Sequence, residues 1–295
     1  MTAEILSGKS ISLEMRDELK TTVDGLKEKG MTPGLGVILV GDDPASRSYV
    51  TAKEKACEDV GIFSREIAMD GGSSKEAILE QVHALNNDDR IHGILVQLPL
   101  PDSSIEEEVL NTVLPEKDVD GFHPVNVGRM MLGLPAFLPC TPHGVLHMLQ
   151  RSGATVSGAH VVVVGRSNIV GRPLANMLSQ KSAFGNATVT LCHTGTPNIA
   201  AFTREADIVI AAVGRPHTIT ADMVKDGAVI IDVGVNRVED ASKKSGFRLV
   251  GDVDFEPVAE KASFITPVPG GVGPMTITML LYNTVESARR HLARG

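Results

Sequence analysis

The stretch HVVVVGRSNIVGRP, residues 160–173, decides the fold of this chain. Its run of valines, Val161–Val164, predicts a strand that is buried on both faces of a parallel sheet. A glycine-rich turn that opens a helix directly after such a strand presents backbone N–H groups to phosphate. The stretch therefore predicts an α/β fold with a nucleotide site. A plain strand–turn–helix joint without a ligand is the alternative interpretation, because such joints are common in α/β proteins.

The glycine spacing of this turn differs from the G-x-G-x-x-G of common dinucleotide folds. Arg166 and Ser167 place a cation and a hydroxyl where that pattern has small residues, and both groups can hold an additional phosphate. The next predicted strand, 188–192, is followed by His193-Thr194 and not by the acidic residue that would bond an adenosine ribose 2′-hydroxyl. These features favour NADP over NAD as the cofactor.

Short apolar segments alternate with helical ones on both sides of this stretch, which predicts parallel β-α-β units. On the N-terminal side we expect strands at 35–40, 62–69 and 91–98, and helices at 8–29, 45–60, 74–85 and 103–113. On the C-terminal side we expect a long helix from Pro274, preceded by strands at 161–164, 188–192, 207–213, 228–233, 249–252 and 264–265.

Residues 114–142 interrupt this alternation, because they are rich in proline and glycine and show no clean period. We place the domain junction there, and we expect Thr141 and Pro142 to begin a helix over 143–149. The predicted architecture is α/β with two domains, an N-terminal α/β catalytic domain over 1–139 and a Rossmann-like NADP-binding domain over 140–273. The C-terminal helix, 274–295, is expected to return to the first domain and complete it.

The composition narrows the class of protein. The chain has 295 residues, 42% of them hydrophobic, and a formal net charge of −8, which argues against nucleic acid or an anionic membrane as a partner. Without a signal-peptide pattern or an apolar run of bilayer length, we expect a cytoplasmic protein. The three cysteines fit neither a disulfide framework nor a zinc site, and the histidines show no metal-ligand spacing, so we assign no metal.

Polar residues also fall where a ligand site of such a fold is expected. Tyr49 and Lys53 stand four residues apart in a predicted helix and therefore share one face. Gln97 closes an apolar strand at its carboxyl end, where parallel sheets bind ligands. Asp120 belongs to the sequence DVDG at the junction. Taken singly, Lys53 can be a solvated lysine beside a half-buried tyrosine, and Asp120 can be a turn former.

Together with PCTP at 139–142, GRSNIVGRP at 165–173 and PVPGGVGPMT at 267–276, these residues resemble the bifunctional methylenetetrahydrofolate dehydrogenase/methenyltetrahydrofolate cyclohydrolase family. The resemblance extends over essentially the whole chain. It implies NADP-dependent oxidation of 5,10-methylenetetrahydrofolate, a small-molecule folate substrate, and hydrolysis of the product to 10-formyltetrahydrofolate in one-carbon metabolism. It also implies a homodimer.

The resemblance further implies roles for individual residues. Tyr49 stacks against the folate, Lys53 is the catalytic group, Gln97 tunes the lysine, and Asp120 bonds the pterin. Lys53 is also the motif residue whose chemistry suits it to accept the proton released when the methenyl cation is hydrated. The folate site is expected to include Leu98, Pro99, Pro269, Gly270 and Gly271 as well. The expected NADP site comprises Thr141, Gly165, Arg166, Ser167, Val170, Gly171, Pro173, His193, Thr194, Gly214, Val233, Gly234, Val235, Gly273 and Thr276.

Two other functions stay open on the residues alone. One is a dehydrogenase that lacks effective cyclohydrolase activity or prefers NAD. The other is a catalytically silent nucleotide sensor, in which Lys53 is merely a surface residue. The sequence has no G-x-x-x-x-G-K-[ST] motif, which argues against an ATP-dependent formyl-folate ligase within this chain.

Overall fold

The fold is that of a computed structural model, which describes residues 2–243 and 246–294. Two compact units divide the chain. The first, here the six-stranded unit, contains the described residues up to Ser12 together with Thr141–Thr276. The second, the three-stranded unit, contains Leu13–Cys140 and the described residues from Ile277 onwards. Among the described helices, none is both long and apolar enough to cross a bilayer.

The first half of the chain alternates strands and helices, as the sequence predicts. Its strands are β1 (Glu4–Ile5), β2 (Gly34–Val40), β3 (Phe63–Met69) and β4 (Gly93–Val96). Its α-helices are α1 (Gly8–Lys27), α2 (Pro44–Val60), α3 (Lys75–Asn86), α4 (Glu106–Thr112) and α5 (Pro124–Met131), with one 3-10 turn at Ser103–Ile105.

The second half continues the alternation with shorter elements. Its helices are α6 (Cys140–Arg151), α7 (Gly171–Ser179), α8 (Ala200–Thr203), α9 (Phe255–Ala259) and α10 (Val272–Leu292), with a 3-10 turn at Ala221–Met223. Its strands are β5 (His160–Val164), β6 (Thr188–Cys192), β7 (Ile208–Ala211), β8 (Val229–Asp232), β9 (Asn236–Glu239), β10 (Phe247–Val250) and β11 (Phe264–Ile265).

The three-stranded unit is built on a parallel sheet in the order β3-β2-β4. Every residue of β2 and β4 is buried, because helices cover both faces of the sheet. The part of α10 that belongs to this unit is tied to it by two buried side chains: Ser287 donates to the carbonyl of Glu116 at 2.8 Å, and Asn283 donates to that of Val119 at 2.8 Å. The predicted return of the C-terminal helix to the first domain is therefore confirmed.

The six-stranded unit is built on a parallel sheet in the order β1-β11-β8-β7-β5-β6. From β5, the chain runs outward to β6 and then crosses back to β7 on the other side of β5. This reversal is a topological switch point, the place at which open parallel sheets bind ligands beyond the carboxyl ends of their strands. The predicted two-domain α/β architecture, with a Rossmann-like second sheet, is confirmed.

Four details differ from the sequence prediction. The strand expected at 249–252 is wrong as a member of the sheet, because β10 ends at Val250 and pairs antiparallel with β9 in a separate hairpin. The strand β1, too short to show a period, was missed. Residues 124–131, expected to be irregular, form α5. The helix expected from 143 already begins at Cys140, which places Thr141 inside its first turn. In the compact units, the residues up to Ser12 belong with the six-stranded sheet, where β1 pairs with β11.

Gly165 provides a test of how tightly β5 and β7 approach each other. Its φ is +126°, and a Cβ on it would lie 2.0 Å from the carbonyl oxygen of Ala212. We expect Gly165→Ala to destabilise the protein by more than about 3 kcal/mol, because backbone strain and a backbone clash act together. Gly25→Ala is the matched control, since no atom lies within 4 Å of its Cβ position inside α1, and it should stabilise by about 0.5–1 kcal/mol. Scanning calorimetry should show Tm shifts of opposite sign, and a Gly165→Ala variant with the Tm of the parent would contradict this account.

Candidate active site and cofactor site

Helix α2 presents Tyr49 and Lys53 from the three-stranded unit. Asp43 caps the helix by accepting from the N–H of Ser46 at 2.7 Å, and Pro44 fills the first helical position, where no backbone donor is needed. Gly61 ends the helix in the left-handed conformation. Between these ends Val50, Ala56 and Cys57 face the core, so the helix is fixed in rotation.

Lys53 and Gln97 meet across the space between α2 and the end of β4. The Nζ of Lys53 donates to Oε1 of Gln97 at 2.9 Å. Gln97 in turn donates from Nε2 to the carbonyl of Leu98 at 2.6 Å. This bond orients the amide so that its oxygen faces Lys53. The backbone N–H of Gln97 continues the ladder by donating to Ile38 at 2.9 Å. The predicted neighbours Leu98 and Pro99 follow directly and are joined by a cis peptide bond.

Asp120 lies close enough to Lys53 for each to influence the other's charge. Burial lowers the pKa of the Lys53 ammonium, and the nearby carboxylate of Asp120 acts in the opposite direction. Burial likewise raises the pKa of Asp120 to about 6, against the opposing effect of Lys53. The two groups are therefore a desolvated acid–base pair, and small changes around them decide where the proton resides.

Asp118 shapes the turn that carries Asp120. Its carboxylate accepts from the N–H groups of Gly121, Phe122 and His123 at 2.9–3.2 Å and from the Asn126 amide at 2.8 Å. The side chain is 6% exposed, so these bonds replace its hydration. Asp118 was not singled out from the sequence, although the DVDG motif contains it. Three consecutive backbone donors on one carboxylate fix the path of the chain just after Asp120.

Two buried thiols flank the pair. Burial raises the pKa of Cys57 to about 12 and that of Cys140 well above its ordinary value. Cys140 donates to the carbonyl of Val119 at 3.3 Å and is 1% exposed. Neither thiol is a nucleophile under these conditions, since the thiolate is strongly disfavoured. They are instead small buried side chains near Lys53.

Tyr49 lies one helical turn before Lys53, as the spacing predicts, and its ring is 47% exposed. Pro269, Gly270 and Gly271, expected beside the folate, belong to the six-stranded unit. There Gly270 accepts from the N–H of Lys9 at 2.9 Å, which ties the loop to the first turn of α1.

The turn after β5 brings together most of the predicted cofactor residues. A Cβ on Gly171 would lie 1.9 Å from the carbonyl oxygen of Gly165, so the start of α7 packs directly on the end of β5. Ser167 accepts from the N–H groups of Val170 and Gly171 at 3.1 and 3.4 Å, which leaves its hydroxyl proton for another acceptor. Within the described residues, the N–H groups of 166–169 and the guanidinium of Arg166 have no hydrogen-bond acceptor.

These features fit a phosphate group. Backbone donors, an exposed guanidinium and a hydroxyl all belong to the turn between β5 and α7, and this turn lies at the switch point of the sheet. Directly after the neighbouring strand β6, the His193 ring accepts from the N–H of Gly195 at 3.0 Å through Nδ1. A neutral His193 therefore carries its proton on Nε2 and can donate from there.

Two buried aspartates shape the rest of the cofactor site, and both were missed as functional residues. Asp252 accepts from the N–H groups of 213–215 at 2.6–2.9 Å and thereby holds the loop of Gly214. Asp232 accepts from the N–H of Gly234 at 3.0 Å and from those of 252 and 253 at 2.9 Å. Burial raises the pKa of Asp232 to about 6 despite these bonds. The predicted contacts at Gly214 and Val233–Val235 thus lie on loops that two carboxylates connect.

The predicted residues Thr141 and Thr276 are also brought together. Their hydroxyl oxygens lie 2.9 Å apart, which joins the first turn of α6 to the first turns of α10 within the six-stranded unit. No local sequence pattern indicates that the two threonines contact each other, because 135 residues separate them.

Asp118 and Asp120 lead to opposite expectations for the same substitution. Asp118→Asn replaces one of the two carboxylate oxygens, which together accept from three backbone N–H groups and the Asn126 amide, with an NH2 group that cannot accept, so it should lower the Tm by several degrees at pH 4 and at pH 8. Asp120→Asn removes a buried charge. The folded protein binds the Asp120 proton more tightly than the unfolded chain, so wild-type stability falls as the pH rises from 3.8 through about 6. We therefore expect Asp120→Asn to raise the Tm at pH 8 and to have little effect at pH 4.

The measurement is calorimetry of both variants and the parent across this pH range. An Asp120→Asn variant that loses as much Tm as Asp118→Asn at pH 8 would contradict the proposed desolvation of Asp120.

Comparisons with known proteins agree with this geometry. Residues 6–120 match the catalytic domain of the tetrahydrofolate dehydrogenase/cyclohydrolase family, and residues 139–292 match the NAD(P)-binding domain of the same family. The chain is 57% identical to the bifunctional protein FolD of Syntrophus aciditrophicus over 289 residues, which cover 98% of each protein.

Solved structures show the same likeness. The FolD dehydrogenase/cyclohydrolase of Campylobacter jejuni is 49% identical, with a TM-score of 0.92 over 98% of this chain and 99% of that one. The Trypanosoma brucei enzyme, solved with NADP and an inhibitor, is 39% identical, with a TM-score of 0.93 over 99% of both chains. On the strength of these matches, together with the Lys53–Gln97–Asp120 arrangement and the turn after β5, the chain belongs to the tetrahydrofolate dehydrogenase/cyclohydrolase family.

Proposed function

We propose that this protein oxidises 5,10-methylenetetrahydrofolate with NADP and hydrolyses the resulting 5,10-methenyltetrahydrofolate to 10-formyltetrahydrofolate. The observation that carries the proposal is the hydrogen bond from Lys53 to Gln97 at 2.9 Å, made by a partly desolvated amine beside the half-buried carboxylate of Asp120. Such a pair suits a reaction in which a cation forms and a proton must then be accepted. Family membership supports both activities.

The three-stranded unit suits a folate. A pterin presents its 2-amino group and N3–H as parallel donors on one edge, which is the pattern that a carboxylate accepts in a bidentate manner. We assign this role to Asp120. The exposed ring of Tyr49 offers a flat apolar face on which the bicyclic or aryl part of the substrate can stack. Lys53, one turn further along α2, then faces the one-carbon bridge.

The six-stranded unit suits NADP, which accepts a hydride when it is bound. The N–H groups of 166–169 and the Ser167 hydroxyl are assigned to phosphate oxygens, since none of these N–H groups is engaged within the described residues. Arg166 is assigned to the 2′-phosphate. The absence of an acidic residue after β6, where His193-Thr194 stand, removes the group that would repel this phosphate.

Lys53 acts in the hydration step. Water adds to the methenyl carbon between N5 and N10, and the neutral amine of Lys53 accepts the proton that the attacking water loses. The hydroxyl group of this adduct then loses its proton to form the formyl C=O as the C–N5 bond breaks, N5 takes up a proton, and the formyl group remains on N10. Burial lowers the pKa of Lys53 and so increases the neutral fraction of the amine. Gln97, which accepts one N–H of Lys53, orients the lone pair of that neutral amine.

A dehydrogenase without effective cyclohydrolase activity or with a preference for NAD, and a silent nucleotide sensor, are the alternatives. The desolvated Lys53 disfavours the sensor, because a lysine without a chemical task is usually solvated. We also propose a homodimer, formed along an edge of the six-stranded sheet, and a cytoplasmic location. Sedimentation equilibrium of the full chain tests the dimer.

The two activities should depend differently on Lys53. Hydride transfer moves no proton, whereas hydration of the cation releases one. Lys53→Met keeps the length of the stem and removes the amine, so cyclohydrolase activity should fall by about 100-fold or more while part of the dehydrogenase activity survives. Methenyltetrahydrofolate should then accumulate, which its absorbance reports.

Lys55→Met is the matched control, because this exposed lysine lies on the same helix. The control should keep both activities. Hydrolysis of methenyltetrahydrofolate by Lys53→Met at the parent rate would exclude Lys53 as the base.

Arg166 should distinguish the two nicotinamide cofactors. Loss of a charge-assisted bond to phosphate costs about 1.5–3 kcal/mol, so Arg166→Ala should weaken NADP by roughly 10- to 100-fold and NAD only slightly. Isothermal titration of both cofactors measures this directly. Arg204→Ala, which removes an exposed partner of Asp222 in the same unit, should change neither affinity. Equal losses for both cofactors in Arg166→Ala would show that this arginine does not contact the 2′-phosphate.

A further inference from the structure

A second cavity lies within the three-stranded unit, and Lys53, Gln97 and Asp120 are not among the residues that line it. Its volume is about 620 Å³, which is in the range of small-molecule sites. The walls come from the end of α3, the segment 114–117, helix α5 with the loop after it, and the last turns of α10. This cavity is called the α5–α10 cavity below.

Three guanidinium groups line the α5–α10 cavity, and two of them are held in place. Arg129 donates from Nε to the carbonyl of Pro135 at 2.9 Å, and Arg290 donates from Nε to Glu286 at 3.0 Å. The Arg290 guanidinium also lies 4.6 Å above the centre of the buried Phe137 ring. Within the described residues, the terminal nitrogens of both arginines, and the whole guanidinium of Arg294, have no acceptor.

This arrangement favours an anion. A guanidinium whose Nε is already bonded presents its terminal N–H groups as a fixed fork, and less side-chain entropy is lost when an anion binds to it. Lys117 adds a fourth positive charge to the lining, although its three donors are used by the carbonyls of 85, 86 and 88. The cavity thus gathers four basic side chains in a chain whose net charge is −8.

His92 supplies a further donor at the base of this cavity. Its Nδ1 accepts from the N–H of Gly34 at 3.1 Å, so the neutral ring carries its proton on Nε2. That nitrogen has no partner, and the residue is 3% exposed. Burial lowers the pKa of His92 to about 4, which keeps the ring neutral. The ring of the exposed His291, which also lines the cavity, meets His92 edge to face, with ring centres 5.4 Å apart.

Three acidic residues also line the cavity. Glu286 is already paired with Arg289 and Arg290. Asp89 and Glu116 are exposed, and the three carboxylates together offset three of the four positive charges of the lining. Apolar side chains complete the walls: Phe137 is buried, and Leu114 and Val125 are 38% and 45% exposed. The lining thus combines a cationic part with an apolar part.

We propose that the α5–α10 cavity binds a small organic anion, whose carboxylate or phosphoryl oxygens are held by Arg290 and Arg129 and whose apolar body lies against Leu114 and Val125. The site is separate from the residues assigned to folate and NADP, and the proposal holds whether or not the assigned activity is correct. The two anionic groups share the chemistry that guanidinium recognises, so both are used as probes.

The test is isothermal titration of the full chain with phenyl phosphate, benzoate and the uncharged benzyl alcohol, in buffer that contains saturating NADP to occupy the phosphate site of the other unit. We expect saturable binding of at least one anion with a sub-millimolar Kd, and no binding of benzyl alcohol. Tighter phenyl phosphate identifies a phosphoryl ligand, and tighter benzoate identifies a carboxylate.

Variants locate the binding. Arg290→Gln should weaken the anion about tenfold, whereas Arg289→Gln, on the same turn of α10 but outside the lining, should leave it unchanged. His92→Asn retains an acceptor for Gly34 and removes the Nε2 donor, so it should weaken binding several-fold. Equal affinity in the parent and Arg290→Gln, or no saturation by either anion at tens of millimolar, would overturn the proposal.

Discussion

The withdrawal of one amine from water is the constraint on which the rest of this structure depends. Lys53 donates to Gln97 and lies beside Asp120, in surroundings dry enough to lower the pKa of the amine and raise that of the carboxyl. Either group would cost free energy if it were charged in these surroundings without the other, because a desolvated charge needs a partner. The helix that presents Lys53, the strand end that presents Gln97 and the turn that presents Asp120 must therefore be held in register. The capped helix α2, the parallel β2–β4 pairing and the bonds around Asp118 do this.

Both units use the same physical device to hold their functional loops. A buried carboxylate accepts hydrogen bonds from several backbone N–H groups, and these bonds hold a turn in place where there is no helix or strand. Asp118 does so beside Asp120, and Asp252 does so at the loop of Gly214. Charge-assisted hydrogen bonds replace the hydration that each carboxylate has lost. They make the turn rigid, and removal of the carboxylate would lower the stability of the fold. The loops assigned to substrate and cofactor can thus be irregular in sequence and still be well fixed in space.

The fold could be predicted from local sequence because its signals are local. The valine run of β5, the glycines of the following turn and the helical period of α2 each specify their own structure, and their order specifies parallel β-α-β units.

In the candidate site, only the residues that a local sequence pattern marks could be predicted. Spacing places Tyr49 and Lys53 on one face, and the end of an apolar strand marks Gln97. Asp118, Asp232 and Asp252 were missed because they bind backbone N–H groups. Every residue except proline has such a group, so the sequence does not show which ones a carboxylate will bind. The contact between Thr141 and Thr276 joins residues that are distant in the sequence, so no local pattern indicates it. The position of β10 outside the six-stranded sheet depends on its tertiary surroundings, which its own sequence does not specify.

The central claim, that Lys53 is a desolvated amine coupled to Asp120, is tested most directly by titrating its side chain. NMR of protein labelled with ¹³C at lysine Cε gives a pH titration for each resolved lysine, and the Lys53 signal is the one absent from Lys53→Met. This account predicts that Lys53 titrates below the exposed lysines. It also predicts that Asp120→Asn moves the titration lower still, because the carboxylate that favours the ammonium is then gone. A Lys53 signal that titrates together with the exposed lysines, and is unchanged by Asp120→Asn, would contradict the account.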